Sequence, residues 1–488
     1  MPSTLRVLFL LQRPEAWGNV AALWAQMRTD PRFEPVAWLL PYNYSDPGLS
    51  AARADIHRLL LESEGIPFVE WVPRMGIRSG QFDVAVFTHP YDRERPPLLW
   101  FHQVRHSVDR IVYIPYGLTV GAGAKNLRLQ FAQPLQIGAD LIVARAPSEK
   151  SMYARYCPRA DGHVQVLGHP RFDRMLQARQ GPLDTGLRER IGGRVAFLWN
   201  SHFSFGHRYS QSSNFSTFDL LGPEIFEYFL ARRASLCLIW RPHPGLFPVL
   251  LEQGLLSAEQ VPTLRDELRA QGIVLDESPG HLDAFACSDA MISDPGSFLF
   301  DYLAMQRPML ALLNPEGEPL NEEATALVNA SGGAWTMSQV RAFLDAVVDG
   351  QVDAEVLAQR KARFLPYADG CSASRICAAI MHGAMVGDTA AAAIESVPYA
   401  TPAAAPFPCT PAATTCPLTP VLINAPLSPV LTQLLAGLRR IRAEKAAETQ
   451  ARKTLRRVIN RVRTMVGEHV KQHPAVMAVL TCMRVRRT

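Results

Sequence analysis

A chain of 488 residues exceeds the usual size of one hydrophobic core, so the length predicts two domains and additional segments. Apolar residues make up 48% and charged residues 19% of the chain, which is typical of a soluble globular protein, and no long uncharged apolar run predicts a transmembrane helix. The net charge of +5 is unevenly distributed, since residues 436–488 hold 14 basic and 3 acidic residues and the remainder is mildly acidic.

The first residues contain a short apolar stretch, and Arg13 and Pro14 follow it directly. This stretch is too short for a signal peptide, so it predicts a first buried strand and a cytoplasmic protein. The 8 cysteines include no CxxC pair and no His/Cys cluster at zinc spacing. We therefore expect reduced thiols, no metal and no cofactor.

Residues 1–180 alternate short apolar runs with helical stretches. The distance between the runs requires crossover connections, which predicts a parallel sheet and a Rossmann-like domain. The predicted strands are Val7–Leu11, Val36–Leu40, Phe68–Val72, Val84–Thr88, Ile111–Pro115, Leu141–Ala144 and Val164–Leu167.

A polar segment at residues 175–192 predicts a hinge, and a second α/β pattern occupies residues 190–386. Helices at about 339–348, 353–363 and 372–386 are expected to close this second, nucleotide-donor domain. Two Rossmann-like domains facing a cleft form a GT-B-like architecture, so we predict an α/β protein of that class. The strands predicted for the second domain are Val195–Trp199, Leu236–Trp240, Ile273–Leu275, Ala290–Ile292 and Met309–Leu313.

The chain beyond residue 386 changes in character. Residues 387–434 are rich in alanine and proline and almost uncharged, which predicts a partly extended linker. Residues 435–488 regain helical spacing, with basic residues around an apolar stripe, and a basic amphipathic helix suits an anionic membrane surface. Packing on the body or on a second copy in a homo-oligomer is the alternative. Nucleic acid is disfavoured, because no aromatic residues interleave with the basic ones. The stripe consists of Leu455, Val458, Ile459, Val462 and Val466.

One predicted strand of the second domain ends in the sequence Ser-Asp-Pro-Gly-Ser, and a helical pattern follows. Backbone N–H groups at the start of a helix suit a phosphate. Gly296 lets the backbone approach a ligand, Ser297 offers a hydroxyl donor, and Asp301 is placed to accept from ribose hydroxyls. The alternative is that Ser293 or Asp294 only caps the helix.

Two other predicted strands of this domain also end in polar residues. One runs into Asn-Ser-His-Phe, which contains His202, and the next runs into Arg-Pro-His-Pro, which contains Arg241 and His243. Arg241 is a candidate bidentate donor to a pyrophosphate, and His243 a candidate donor to its bridging or leaving oxygen. The prolines on both sides of His243 favour a positioned side chain over a core histidine.

These motifs follow one another in the order GHPRFD, WNSHF, SSNF, RPHP, LDES and SDAMISDPGSFLFDYLAMQRPML. This order resembles the CDP-glycerol glycerophosphotransferase family, the teichoic-acid and capsule polymerases, over about residues 6–315 and most specifically over 195–310. The resemblance implies a GT-B fold and a CDP-activated donor. It also implies that His243 contacts the donor pyrophosphate and that the phosphate corner is lined by Ser293, Asp294 and Ser297.

The chain departs from this family in the first domain. The polymerases have a Trp-His-Gly stretch there, whose histidine is implied to be the base, whereas this chain has Pro-Tyr-Gly with Tyr116 and Gly117. Tyrosine is a poor base near neutral pH. We therefore expect His202 to remove the acceptor proton, with His89 and His169 as alternatives; the acceptor side would comprise His89, Tyr116, Gly117 and His169.

The sequence thus predicts a transferase that moves a phosphoalcohol from a CDP-activated donor to a hydroxyl of a cell-surface glycan or polymer. We expect it on the inner face of the plasma membrane as a peripheral protein. Two alternatives stay open: a nucleotide-sugar glycosyltransferase or epimerase on the same fold, and a non-catalytic scaffold of polymer assembly at the membrane.

Overall fold

The computed structural model describes residues 4–118, 120–180, 184–205, 214–278, 280–383 and 428–472. The first domain is built on a parallel sheet of seven strands in the order β3-β2-β1-β4-β5-β6-β7. Its strands are β1 (Leu5–Leu11), β2 (Phe33–Leu39), β3 (Phe68–Glu70), β4 (Val84–Phe87), β5 (Arg110–Tyr113), β6 (Leu141–Ala144) and β7 (Val164–Val166).

The helices of the first domain cover both faces of this sheet, which is why its central strands are continuous apolar runs. They are α1 (Ala21–Thr29), α2 (Pro47–Ser63), α3 (Phe101–Arg105), α4 (Ala124–Phe131), α5 (Pro134–Gly138), α6 (Pro147–Tyr156) and α7 (Pro170–Gln180), with 3-10 turns at Pro14–Asn19, Asp92–Glu94 and Pro97–Leu99.

The second domain contains a parallel sheet of six strands in the order β10-β9-β8-β11-β12-β13. Every strand predicted from the sequence is present, and the two-residue strand β13 was not predicted because so short a run carries no periodicity. The strands are β8 (Val195–Ser201), β9 (Leu236–Pro242), β10 (Val274–Leu275), β11 (Ala290–Ser293), β12 (Met309–Leu312) and β13 (Gly333–Ala334).

Helices flank the second sheet on both faces. They are α8 (Thr185–Ile191), α9 (Phe218–Ala231), α10 (Leu246–Glu252), α11 (Gln260–Ala270), α12 (Leu282–Cys287), α13 (Phe298–Asp301, continued by a 3-10 turn at Tyr302–Met305), α14 (Glu322–Ser331), α15 (Met337–Val348), α16 (Ala354–Phe364) and the first turns of α18 (Pro429–Gln472). Helix α17 (Ser372–Met381) lies between α16 and α18 in the chain and packs elsewhere.

Helix α17 does not close the second domain as expected. Its buried residues, among them Ile376 and Ile380, belong to the core of the first domain, where the helix packs against α1 and α7. The carboxylate of Asp173 accepts hydrogen bonds from the backbone N–H groups of Ser372 and Ala373, at 3.2 and 2.9 Å. The chain therefore crosses back to the first domain, and residues far apart in sequence share one core.

Helix α18 corrects the boundary expected between linker and tail. It begins at Pro429, within the predicted linker, and its first turns bury Leu431, Leu434 and Leu435 in the core of the second domain. Lys445 then pairs with Asp219 of α9, with nitrogen and oxygen 2.5 Å apart. Of the predicted linker, residues 387–427 lie outside the described residues.

The distal part of α18 carries the predicted apolar stripe, of which only Ile459 has a described side chain, and it is 41% exposed. The side chains of Leu455, Val458, Val462 and Val466 lie outside the described set, as do residues 473–488. Among the helices that the structure describes, none is both long and apolar enough to span a bilayer.

Candidate active site

Three neighbouring strands of the second sheet, β9, β8 and β11, end at the same edge. Their register places Asn200 beside Arg241 and beside Ser293. The residues that follow these strands therefore meet, although up to 95 positions separate them in the chain. This edge brings together His202, His243 and the 293–297 turn, as the sequence predicted for the carboxyl ends of parallel strands.

The ring of His243 is held by its own loop. The backbone N–H of Gly245 donates to Nδ1 at 3.0 Å, and the N–H of His243 donates to the carbonyl of Ser201 at 2.8 Å. Burial, and secondarily the positive charge of Arg53 in the first domain, lowers the pKa of His243 to about 4. The imidazole is thus neutral near pH 7, with Nδ1 accepting and the proton on Nε2.

His202 has the same arrangement. The Nδ1 atom lies 2.7 Å from the hydroxyl of Ser204 and accepts from the N–H of the same residue at 3.2 Å. Because the backbone N–H of Ser204 can only donate, Nδ1 is an acceptor, and the hydroxyl, which accepts from the N–H of Phe215, donates to it. Burial, and to a lesser degree the nearby His243, holds the pKa of His202 well below its usual range. A neutral ring with Nδ1 accepting carries its proton on Nε2, so it donates and does not fit the expected role of base.

The two imidazoles are close neighbours, with ring centroids 5.1 Å apart. The ring of Phe203 packs against both, at 4.5 Å from each. Both histidines are partly exposed. The edge therefore presents two fixed N–H donors side by side, which is an arrangement suited to an anionic oxygen.

The turn after β11 divides into a buried and an accessible half. Ser293 and Asp294 are buried, and the Ser293 hydroxyl donates to the carbonyl of Asp294 at 2.7 Å. The Asp294 carboxylate accepts from the N–H of His202 at 2.7 Å and from the N–H and hydroxyl of Thr217 at 3.0 and 2.5 Å. Burial nevertheless raises the pKa of Asp294 to about 7. Asp294 therefore positions the His202 loop, and its carboxylate oxygens are occupied by protein donors.

Gly296 and Ser297 form the accessible half of this turn, and both are partly exposed. Apart from its chain neighbours, the only described atom that a Cβ on Gly296 would meet within 4 Å is the Asp294 carbonyl oxygen, at 4.0 Å, so a ligand can approach the backbone here. The regular helix that follows, α13, is only four residues long before it becomes a 3-10 turn. The helix dipole expected to attract an anion at this corner therefore comes from a short helix only.

Arg241 pairs with protein groups, whereas the sequence predicted that it would bind a pyrophosphate. Its Nη1 pairs with Asp276 at 2.6 Å and donates to the Ser278 hydroxyl at 3.1 Å, and its Nη2 donates to the Ser278 carbonyl at 2.9 Å. These partners follow β10, the next strand along the same edge. Arg241 therefore orders the loop after β10, and both Nη groups have protein partners.

Asp301 does not reach the cleft as a ribose acceptor. It is buried, and its two carboxylate oxygens accept from Nη1 of Arg171 at 2.9 and 3.0 Å. The same guanidinium donates to the side chain of Asn19 and the carbonyl of Tyr116, both at 2.6 Å. Arg171 thus joins the first domain to α13 of the second, and the GHPRFD motif forms one of the contacts between the two domains.

The candidate histidines of the first domain are buried. His169 is fully buried, its Nε2 donates to the carbonyl of Pro115 at 2.8 Å, and burial lowers its pKa to about 3. His89 is 2% exposed and packs against the rings of Tyr91 and Tyr116. Gly117 adjoins open space, since a Cβ atom there would meet no described atom within 4 Å apart from its chain neighbours. Tyr116 and Gly117 are thus the acceptor-side candidates near the surface.

The sequence did not single out Ser204, Thr217, Asp276 or Arg171. The last two stand in the quoted LDES and GHPRFD stretches, at strand ends, and this position is the signal that could have indicated them. Thr217 acts through a contact with Asp294, 77 positions away, for which the local pattern holds no signal, whereas Ser204 lies two positions from His202. Within the described part of the chain, no group of His, Cys, Asp and Glu could hold a metal ion.

Comparison with solved structures shows the fold. An S. aureus MnaA–UDP complex matches with a TM-score of 0.50 and 14% identity, covering 78% of this chain and 96% of that one. UDP-GlcNAc 2-epimerase from Neisseria meningitidis bound to UDP-GlcNAc has a TM-score of 0.50 and 11% identity, with 78% and 100% coverage. The wall teichoic acid polymerase TagF has a TM-score of 0.48 and 11% identity, with 78% and 89% coverage. No curated protein matches the sequence.

A family comparison covers most of the second domain. Residues 260–382 match the family described as CDP-Glycerol:Poly(glycerophosphate) glycerophosphotransferase. This range includes the turn after β11 and ends just after α17. The resemblance found in the motifs is thereby confirmed, and the chain is similar to the CDP-glycerol glycerophosphotransferases, which supports a transferase of that type on a GT-B-like α/β fold.

Proposed function

We propose that the protein transfers a polyol phosphate from a CDP-activated donor to a hydroxyl of a glycan or polymer, and that His202 and His243 bind the departing phosphate. The observation that carries this proposal is the pair of neighbouring imidazoles whose Nδ1 atoms both accept local hydrogen bonds. Each ring then offers Nε2–H to a ligand at the same strand edge.

The reaction forms a bond between the acceptor oxygen and the β-phosphorus of the donor. The bond from that phosphorus to the bridging oxygen breaks, its electron pair leaves with CMP, and the proton of the acceptor hydroxyl passes to the surrounding water. Negative charge therefore increases on the CMP phosphate during transfer. Two preorganised N–H donors stabilise that charge more than they stabilise the bound donor, which lowers the barrier.

The hydrogen bonds around His202 support a donor role in place of the base role expected from the sequence. Its Nδ1 lone pair is occupied by Ser204, and its Nε2 already carries a proton. Gly296 and Ser297 complete the proposed phosphate site from the neighbouring strand, where backbone can approach the ligand. Arg241 contributes indirectly, by holding the loop that contains Asp276 and Ser278.

We further propose that the distal part of α18 lies on an anionic membrane surface, which would place the enzyme at the inner face of the plasma membrane. Lys453, Arg456 and Arg457 are exposed on this part of the helix, beyond the turns that pack on the second domain. Each basic residue near such a surface contributes about 1 kcal/mol to binding. Charge-removing changes at these three positions should release the protein from anionic vesicles, whereas the exposed Arg269→Gln should not.

The transfer reaction is tested with the full-length protein and CDP-glycerol, by measuring CMP release in the presence of a polyol-phosphate oligomer. We expect His243→Ala to lower the rate by about 10²- to 10³-fold, as for loss of one charge-stabilising donor. His243→Gln should recover part of this loss, because its amide nitrogen can take the place of Nε2. His106→Ala, at an exposed site in the first domain, is the control.

Turnover of His243→Ala at the wild-type rate would contradict the assignment of this site. CDP-ribitol, UDP-GlcNAc and UDP-glucose are assayed in parallel. Consumption of a UDP-sugar without CMP release from either CDP-alcohol would identify a nucleotide-sugar enzyme instead. Nucleotide binding without turnover of any donor would indicate the scaffold alternative.

A further inference from the structure

A cavity separate from the candidate active site lies in the first domain, at the carboxyl ends of β1, β2 and β3. It has a volume of about 270 Å³ and lies between these strand ends and helix α2. Its walls are mainly apolar, and the residues that matter for the inference are Gln12, Tyr42, Arg53, Ala54, His57 and Trp71. This volume is just below the range of about 300–1,000 Å³ for drug-sized ligands, so it suits one monosaccharide-sized group.

Two buried polar side chains in the wall have unused hydrogen-bonding atoms. His57 is 3% exposed; its ring nitrogens make no hydrogen bond of good geometry with the described residues, although the ring lies close enough to the Gln12 backbone for that backbone to raise its pKa. Gln12 is 2% exposed; its Nε2 donates to the carbonyls of Tyr42 and Glu94, whereas Oε1 has no partner in the described part of the chain. Buried polar atoms are normally paired, so these three atoms point to a polar ligand.

The hydrogen-bonding chemistry of these atoms indicates which class of ligand would fit the cavity. Burial lowers the pKa of His57 to about 4, and the nearby backbone of Gln12 opposes this shift only in part. The neutral ring therefore offers one donor and one acceptor, and Gln12 Oε1 adds an acceptor. Adjacent hydroxyl groups can satisfy all three atoms, while C–H groups pack on the apolar wall. A sugar or polyol has both kinds of surface.

One residue of the cavity wall, Arg53, relates the cavity to the active site through its charge. Arg53 lies near the ring of Tyr42, at 5.6 Å, and its charge also reaches His243 in the other domain. Arg58, on the next turn, is paired with Glu70 and Asp55. A molecule in the cavity would therefore extend past a cationic side chain toward the proposed phosphate site.

We infer that this cavity, bounded by Gln12, His57 and Trp71, binds one sugar or polyol unit of the acceptor and so determines which acceptor is used. The identification of the bound unit as part of the acceptor rests on the proposed function. Binding of such a unit to the cavity itself does not depend on the donor or on turnover.

The test uses the full-length protein and three probes: methyl β-N-acetylglucosaminide, methyl α-galactoside and glycerol 3-phosphate. Binding is measured by saturation-transfer NMR titration. At least one probe should bind the wild-type protein, and Ala54→Phe should weaken it at least tenfold by filling the cavity. Ala54 lines the cavity from an exposed position, so the larger side chain does not enter the core.

Two further variants make the result specific. Leu59→Phe, on the same helix and 61% exposed, should bind the probe like the wild type. His57→Leu should weaken binding without lowering the melting temperature. The inference is overturned if no probe binds the wild type, or if Ala54→Phe binds like it. CDP binding and CMP release are measured on the same samples: their absence in the wild type would refute the proposed function and leave the cavity result to stand by itself.

Discussion

Three histidines in this chain precede a proline within three residues of the end of a strand, and the structure uses them in different ways. His243 follows β9 in the second domain, is partly exposed and has its Nδ1 bonded to Gly245. His169 follows β7 and His89 follows β4 in the first domain, and both are buried. The same local pattern thus produces a candidate ligand donor in one domain and interior contacts in the other.

The difference lies in what covers each strand end. At the His243 edge, both His243 and His202 stay partly exposed, so the ring nitrogen that local hydrogen bonds leave over can be reached by a ligand. The end of β7 is covered by α17, whose N-terminus binds Asp173, and a Cβ atom on Gly168 there would lie 2.8 Å from the carbonyl of Tyr367. A His-Pro dipeptide at a strand end therefore indicates a rigid position, and only the tertiary contacts decide whether that position is a site.

The strongest way to test this comparison is to break the interior contacts at the first-domain edge. Arg171→Ala leaves Asp301 buried without its partner, and we expect a loss of about 3–5 kcal/mol in the free energy of unfolding. The measurement is urea denaturation followed by circular dichroism.

Two comparisons make that prediction specific. A double replacement of Arg171 and Asp301 by leucine should cost less than the sum of the single changes, because no charge is then left unpaired. Arg269→Ala, in an exposed ion pair with Asp266, should change stability by less than about 1 kcal/mol. Additive effects at Arg171 and Asp301 would contradict the contact.

A second prediction concerns the buried carboxylate beneath the His202 loop. Because burial raises the pKa of Asp294 from its ordinary value to about 7, the folded state holds this proton more tightly than the unfolded chain does. Its contribution to stability is therefore present at low pH and declines between about pH 4 and pH 7, by a total on the order of 4 kcal/mol.

Asp294→Asn removes this titration. The difference in unfolding free energy between wild type and variant, measured by urea denaturation at pH 4.5, 6 and 8, should shift in favour of the variant as the pH rises. A difference that is constant across these pH values would show that Asp294 does not titrate in this range.

The smallest expected effect concerns the pH dependence of the reaction. The pKa of His243 is lowered to about 4 and that of His202 also lies well below its usual range, so both rings keep their Nε2–H donors in neutral form near neutral pH. The maximal rate of CMP release should therefore show no step near pH 6.5 that belongs to either ring. A pH midpoint between 6 and 7 that disappears in His202→Gln would restore His202 as the base.

Much of the fold could be predicted because parallel strands buried on both faces are continuous apolar runs. Each predicted strand is present, and the edge that gathers His202 and His243 follows from the rule for carboxyl ends. The strand β13 and the start of α18 were missed. The first is too short for a pattern, and the second follows a proline-rich segment whose composition predicted a linker.

The sequence predicted which strand edge carries the candidate residues, but only part of what each residue contacts there. His243 and Ser297 occupy the expected edge, whereas the carboxylates of Asp294 and Asp301 and the Nη groups of Arg241 have protein partners from other elements. Those partners lie between 35 and 130 positions away in the chain. Local spacing cannot indicate which polar side chain meets another over such distances.

By itself, the sequence determined the two parallel sheets, the edge where the second domain gathers its polar residues, and the similarity to the glycerophosphotransferases. Apolar periodicity and motif order are local properties, so they can be read along the chain. The tertiary structure decided which histidines keep a free donor, where α17 and α18 pack, and which charges neutralise one another. These outcomes depend on burial and on contacts between distant segments, and burial is what sets both the tautomer and the pKa of each group at the site.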